Sequence, residues 1–343
     1  MRLQTLCSLL SLVGTAFPTP LAYSSTIARQ AVPVNSPSTV HGIWNFPNGT
    51  WVENLAVRSN GQILVTLLST PRIYQVDPTL KHPAALVHTF SSYLGCLGIA
   101  ELQPDVFYVV TSNFSTLTLQ TAPGSFSVWK VNMTGFLPGC TSPAASKVAD
   151  FPQSSLFNGM TALDPSSGIL LIADSGAGAV WSLDVNTGAK SKAITDTLMA
   201  PTSTGFGLGI NGLKVRNGDL YFTNTNQALF ASAPVNAVGA EEAQATALTS
   251  NLAGLDDFQF DSQGNALFAG NGQLRYRAAA GDPLVVVSNS TLLAGSTAVG
   301  FGRLPADRNS VYVTTNGGVG QYVSRDYATP GRVVKVDVAG MGY

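Results

Sequence analysis

Glu53-Asn54-Leu55-Ala56-Val57, then Gly61 and the run Ile63-Leu64-Val65-Thr66, is the stretch that decides the fold, because the chain repeats it. A polar or small residue opens an apolar strand, a turn follows, and a second apolar strand comes after it. Further copies open at Cys96, Asn158, Asn211, Asp256 and Thr297, with second strands at Val106–Val109, Ile169–Ile172, Leu220–Thr223, Ala266–Ala269 and Val311–Thr314. A spacing of roughly 40–60 residues between copies is that of a propeller blade.

Each copy continues alike. Third strands read Arg72–Asp77, Ser127–Asn132, Ala179–Asp184, Ala228–Ala231, Gln273–Tyr276 and Arg332–Asp337. Short apolar–polar alternation bounded by Gly, Pro and Asp is strand chemistry. Fourth strands fit at Ala84–Phe90, Ser146–Phe151, Lys192–Thr197, Gln244–Ser250 and Pro283–Ser288, and the sixth copy runs out before supplying one. An unused strand, Val40–Phe46, precedes the first copy. Placed beside Arg332–Asp337 it completes the ring and removes the exposed sheet edges. The reading is an all-β, six-bladed β-propeller closed by an N-terminal strand, with 234–248 as a polar connection or a short helix.

Composition agrees with one such domain: 34 Gly, 19 Pro and only 11% charged residues. A net charge of −1, with Lys and Arg scattered, gives no basic face for nucleic acid. Residues 1–22 read as a secretory signal, with Arg2 before the apolar run Leu6–Ala16 and small residues up to Ser25, leaving 23–343 as the propeller. That run is too short to anchor the chain in a membrane. Sequons at Asn48, Asn113, Asn132 and Asn289 suit the secretory lumen or secretion. Loss of the signal removes Cys7 and leaves Cys96 and Cys140, which are expected to form a disulfide in an oxidising compartment; the alternative is two buried free thiols. The strand map puts the two at opposite faces of the blade, so a bridge requires the 133–145 loop to fold back or the register of the second blade to shift.

The opening residues converge on the central channel: Glu53, Cys96, Asn158, Asn211, Asp256 and Thr297. Two carboxylates and two amide oxygens suit a hard divalent cation, Ca²⁺ or Mg²⁺; the alternative is a polar ring satisfied by neighbouring strand ends and water. Asp257, one residue past Asp256, alternates to the other strand face. No organic cofactor motif is present. His41, His82 and His88 map to the rim, and no Gly-x-Ser-x-Gly elbow occurs, which weakens a hydrolase reading without excluding an Asp or Glu base. Segments over the mouth are greasy: Trp51, Phe114, Leu117, Leu156-Phe157, Leu198-Met199 and Phe206. They suggest a small-molecule cavity for apolar substrates, with Trp51, Phe114, Phe157, Leu198 and Phe206 as lining.

The blade from Asp164-Pro165-Ser166-Ser167-Gly168 through Ile172-Ala173-Asp174-Ser175-Gly176 to Val180-Trp181-Ser182-Leu183-Asp184 resembles the SMP-30/gluconolactonase/LRE-like propellers. That resemblance implies a divalent ion held by Glu53, Asn158, Asn211 and Asp256. The Glu53–Gln62 opening and Gly98–Val109 resemble a secreted fungal branch, which includes hetero-Diels–Alderases of tropolone-sesquiterpenoid biosynthesis. It implies a pericyclase that joins a quinone methide to a sesquiterpene alkene, needing no acid–base pair and no histidine, with a rate flat where His titrates. A metal-dependent lactonase and a non-catalytic ligand-binding propeller are the alternatives.

Overall fold

A computed structural model describes residues 38–202, 207–281 and 284–338. Six antiparallel sheets of four strands form the ring. Blade 1 comprises Val52–Val57, Ile63–Leu67, Arg72–Val76 and Ala85–Thr89; blade 2 comprises Gly95–Gln103, Val106–Ser112, Phe126–Asn132 and Ala144–Phe151. Blade 3 comprises Phe157–Asp164, Ile169–Asp174, Ala179–Asp184 and Lys190–Thr195; blade 4 comprises Ile210–Arg216, Asp219–Asn224, Leu229–Pro234 and Thr246–Thr249. Blade 5 comprises Leu255–Phe260, Ala266–Gly270, Gln273–Arg277 and Val285–Ser288. Blade 6 takes Ser296–Phe301, Ser310–Thr315 and Pro330–Asp337 from the end of the chain and Val40–Asn48 from its beginning.

The N-terminal strand closes the ring as the pattern implies, pairing Val40 with Val336 and Gly42 with Val334. Ser38 Oγ adds a 3.0 Å bond to the Val287 carbonyl in blade 5. Second and third strands, apolar on both faces, fill the gaps between blades. Between blades 2 and 3, Phe151 sits edge-on to Phe157 and Trp181, while Phe258 and Phe268 stack between blades 4 and 5. The stretch 235–245 is a connection, not a helix.

Near its start, every inner strand carries one residue more than its partner across the ladder. The irregularities fall at Val52/Asn54, Cys96/Ile99, Phe157/Met160, Ile210/Leu213, Leu255/Phe258 and Ser296/Ala298. A β-bulge breaks the period-two alternation, so two successive residues leave the blade plane for the axis. In blades 2, 3 and 4 the second of them is glycine. A Cβ on Gly98 would lie 2.5 Å from the Asn158 carbonyl oxygen, and one on Gly159 2.6 Å from that of Asn211. A Cβ on Gly212 would lie 2.4 Å from Asp257 Oδ1. Each glycine lets the next blade close in.

The bulges correct two sequence expectations. In blade 2 the residue at the channel is Leu97, while Cys96 points back among Phe107, Val109 and Met133. Its buried thiol is free and Cys140 sits in an exposed turn, so the Cys96–Cys140 disulfide is not formed. Burial raises the Cys96 thiol well above its ordinary range. Cys96 is therefore expected to resist alkylation in the native protein and to label after unfolding without reductant. Labelling that requires reductant would reveal a bridge.

Asp257, too, faces the axis instead of packing within its blade. Its carboxylate accepts from Asn54 Nδ2 of blade 1 at 3.1 Å and from Lys214 Nζ of blade 4 at 2.7 Å. These three side chains form a floor that divides the channel into two chambers. The one at the inner-strand starts holds about 770 Å³, the one at the far end about 780 Å³.

Candidate active site

Size does not choose between the chambers, but charge does. The far chamber is lined by Glu101, Lys214, Arg216, Asp257, Asp261 and Arg303. Its cations are engaged, Arg303 with Glu101 at 2.5 Å and Lys214 with Asp257. The near chamber has two ionisable side chains, Glu53 and Asp256, in an otherwise neutral and mostly apolar wall.

Glu53, Asn158, Asn211 and Asp256 all line the near chamber, each from the bulge of its inner strand. Glu53, Asn158 and Asn211 are almost wholly buried, and Asp256 keeps part of its surface open to the cavity. Thr297, the sixth opening residue, instead ties blades together by donating to the Val52 carbonyl at 2.8 Å.

No Lys or Arg pairs with Glu53 or Asp256 among the described residues. Burial therefore dominates their titration. Desolvation lifts Glu53 to about 7; a 2.5 Å hydrogen bond from Trp51 Nε1 opposes the rise, and the Asp257 charge adds to it. Asp256 is raised well above the usual carboxylate range by desolvation, then by the charges of Glu53 and Asp257.

The amide of Asn211 is oriented by its neighbour. Thr225 Oγ1 donates its one proton to the Leu255 carbonyl at 2.9 Å, so it must accept from Asn211, whose Nδ2 lies 2.9 Å away. Asn211 Oδ1 is left buried without a partner. A buried, unsatisfied acceptor in a chamber it shares with two carboxyls is costly unless a donor or a cation fills the space. This donor set fits a hard divalent cation. No cluster of three or more His, Cys, Asp or Glu suited to a metal occurs among the described residues, so the fit depends on the amide oxygens.

Of the expected lining residues, Trp51 and Phe114 are present, joined by Leu68, Leu97, Leu119 and Val319. Phe157 is not: it precedes the bulge, so its ring turns into the interface with blade 2 against Phe126 and Phe151. Leu198 packs on the core between blades 3 and 4, and Leu117 is exposed. Phe206 and the 1–22 signal lie outside the described residues. None of the three histidines lines either chamber. Leu97 could have been found by aligning Leu97-Gly98 with Asn158-Gly159 and Asn211-Gly212; Val319 lies in a loop with no counterpart in other blades.

The six-bladed propeller is a fold this chain shares with solved structures. Among solved structures, a luciferin-regenerating enzyme superposes with a TM-score of 0.62 at 14% identity, covering 89% of this chain and 97% of that one. A calcium-binding regucalcin from Agrobacterium tumefaciens gives 0.57 at 13%, covering 88% and 96%. No family model matches. A Phoma sp. protein provisionally named a hetero-Diels-Alderase is 31% identical over 340 residues, 90% of this chain and 94% of that one. A Sarocladium schorii protein with the same provisional name is 34% identical over 215 residues, covering 57% of this chain and 52% of its own. The chain belongs to this hetero-Diels-Alderase family.

Proposed function

We propose that the chain is a secreted hetero-Diels–Alderase that joins a quinone methide to a sesquiterpene alkene in the near chamber. One observation carries the reading: the chamber wall is mostly apolar, and the ionisable groups that line it among the described residues are Glu53 and Asp256, on the inner strands. The heterodiene C=C–C=O and the alkene C=C form one C–C and one C–O bond, with no proton moved and no group expelled. Such a reaction needs two partners held in a near-attack geometry and some polarisation of the heterodiene oxygen. The Asn158 amide is a donor for that oxygen. So is the carboxyl of Asp256, which its surroundings keep protonated when no ion is bound. A Ca²⁺- or Mg²⁺-like ion held by Glu53, Asn158, Asn211 and Asp256 would supply Lewis-acid polarisation at the same place. Secretion is supported by the signal-like 1–22 and by the sequons, of which Asn48 and Asn289 are exposed and Asn113 and Asn132 partly so.

The metal-dependent lactonase reading is favoured by one observation, the pair of buried carboxyls. The test is direct. A quinone methide released from a hydroxymethyl precursor by loss of water is incubated with a cyclic sesquiterpene alkene, with and without chelator, beside a lactone panel. The expected product is a single cycloadduct stereoisomer, formed at unchanged rate when His41, His82 and His88 are all replaced. An inflection near pH 7 is expected to belong to Glu53, not to a histidine, and to vanish in Glu53→Gln. Lactone hydrolysis abolished by chelator, with no cycloadduct, would reverse the assignment.

A further inference from the structure

Four blades join their second and third strands by tight turns on the chamber side, at 68–71, 175–178, 225–228 and 271–272. Blades 2 and 6 do not. Their connections are the long loops 113–125 and 316–329, and these blades flank blade 1, whose Trp51 lies between them. We propose that the two loops and Trp51 form the subsite for the hydrocarbon partner, and that they set which alkene the enzyme accepts. This deepens the function proposed above and rests on it.

Both loops are built elements. Loop 113–125 folds into a small hairpin, Phe114–Ser115 against Gln120–Thr121, with Phe114 packed on the core between blades 2 and 3. Its turn puts Leu119 at φ +54°, a conformation a leucine adopts at a cost of about 1–2 kcal/mol. The strain is borne by a residue that lines the chamber. Loop 316–329 carries a short helix, Gly320–Ser324, and is clipped at its base by Gln321, whose Nε2 donates to the carbonyls of Asn316 at 2.6 Å and Thr329 at 3.0 Å. Tyr322 holds the Trp51 indole with ring centroids 4.7 Å apart.

Charge identifies the occupant. Loop 113–125 contains no ionisable side chain, and loop 316–329 has charged side chains only in Arg325 and Asp326, neither of which lines the chamber. Phe114, Leu119 and Val319 face the cavity from these loops beside the uncharged Gln120, Thr121 and Asn316, while the carboxyls of Glu53 and Asp256 come from the inner strands. A neutral olefin covers no charge against these loops and packs on the side chains of Phe114, Leu119, Val319 and Trp51, whereas a quinone methide gains most with its oxygen beside the amides and carboxyls of the inner strands. The two reactants are thereby sorted to opposite ends of one chamber.

The test separates the subsites kinetically. Leu119→Gly, which also relieves the strained φ, and Val319→Ala are expected to raise KM for the alkene about tenfold each and to leave KM for the quinone methide within twofold. A melting temperature close to the wild type's controls for folding. A non-catalytic arm uses cyclododecene as the probe: wild type binds it, and both variants bind it about tenfold more weakly. Equal shifts in both KM values, no shift in either, or no cyclododecene binding by wild type would overturn the proposal. Cyclododecene binding weakened by the variants, in a protein that makes no cycloadduct, would uphold the hydrocarbon subsite and sink the reaction assignment instead.

Discussion

Glu53→Gln is expected to raise the melting temperature at pH 8 in the presence of chelator and to leave it unchanged at pH 4. The folded protein holds the Glu53 proton up to about pH 7, while the unfolded chain releases it near 4.5. The stability that the proton confers is complete below 4.5 and is lost as pH rises through 7. Above that point wild type contains a buried carboxylate with no cation beside it. Gln keeps the shape and an acceptor for Trp51 Nε1 without the charge. The shift is worth about 3 kcal/mol at most, which for a domain of this size is on the order of 5–10 °C. Calcium should invert the comparison. If Glu53 and Asp256 share an ion, millimolar Ca²⁺ raises the wild-type melting temperature at pH 8 and raises that of Glu53→Gln or Asp256→Asn much less. Wild type indifferent to Ca²⁺ and Mg²⁺ would end the metal reading. A variant less stable than wild type in chelator would show that the carboxylate is compensated after all.

Gly212→Ala should damage the protein more than any single change at a lining residue. The added Cβ would meet Asp257 Oδ1 at 2.4 Å and the Asp257 Cα at 2.6 Å. The first contact is with a side chain pinned by Lys214 and Asn54, and the second is backbone, so neither yields by a rotamer change. Blades 4 and 5 must separate at the axis, with the floor disrupted between them. A loss of about 3 kcal/mol or more is expected, a fall in melting temperature on the order of 10 °C. Gly42→Ala is the control: Gly42 lies in the closing strand of blade 6, with open space around it and no left-handed backbone. A Gly212→Ala protein that melts with the Gly42→Ala control would show that the inner strands do not touch as described.

Much of the architecture was legible because it is periodic. Alternation located the strands, Gly and Asp the turns, and the missing fourth strand of the last copy pointed to Val40–Phe46. The four polar residues at the mouth were found for the same reason, since each opens a repeat. What alternation cannot show is a bulge, because one extra residue reverses the facing of everything on one side of it. Hence alternation puts Cys96 at the channel where Leu97 stands, turns Asp257 away from an axis it faces, and gives Phe157 to a cavity it backs away from. The loops 113–125 and 316–329 are not repeated, so no comparison between blades could place Leu119 or Val319. The specific part of the site lies where the repeat fails.

The strand Val40–Asn48 has a consequence for how the molecule comes into being. It is synthesised before any blade exists, yet among the described residues its ladder partner is Pro330–Asp337, made after the other five blades. Throughout translation five blades can assemble while that strand waits unpaired and the sixth sheet stays open. Contacts between segments so far apart in sequence form slowly, and exposed strand edges invite association with other chains. Completion of the ring is therefore a single late event on which the whole molecule depends. A nascent chain released a few residues short of Pro330 would carry five whole blades and two permanently open edges, a form that quality control could recognise by edge alone.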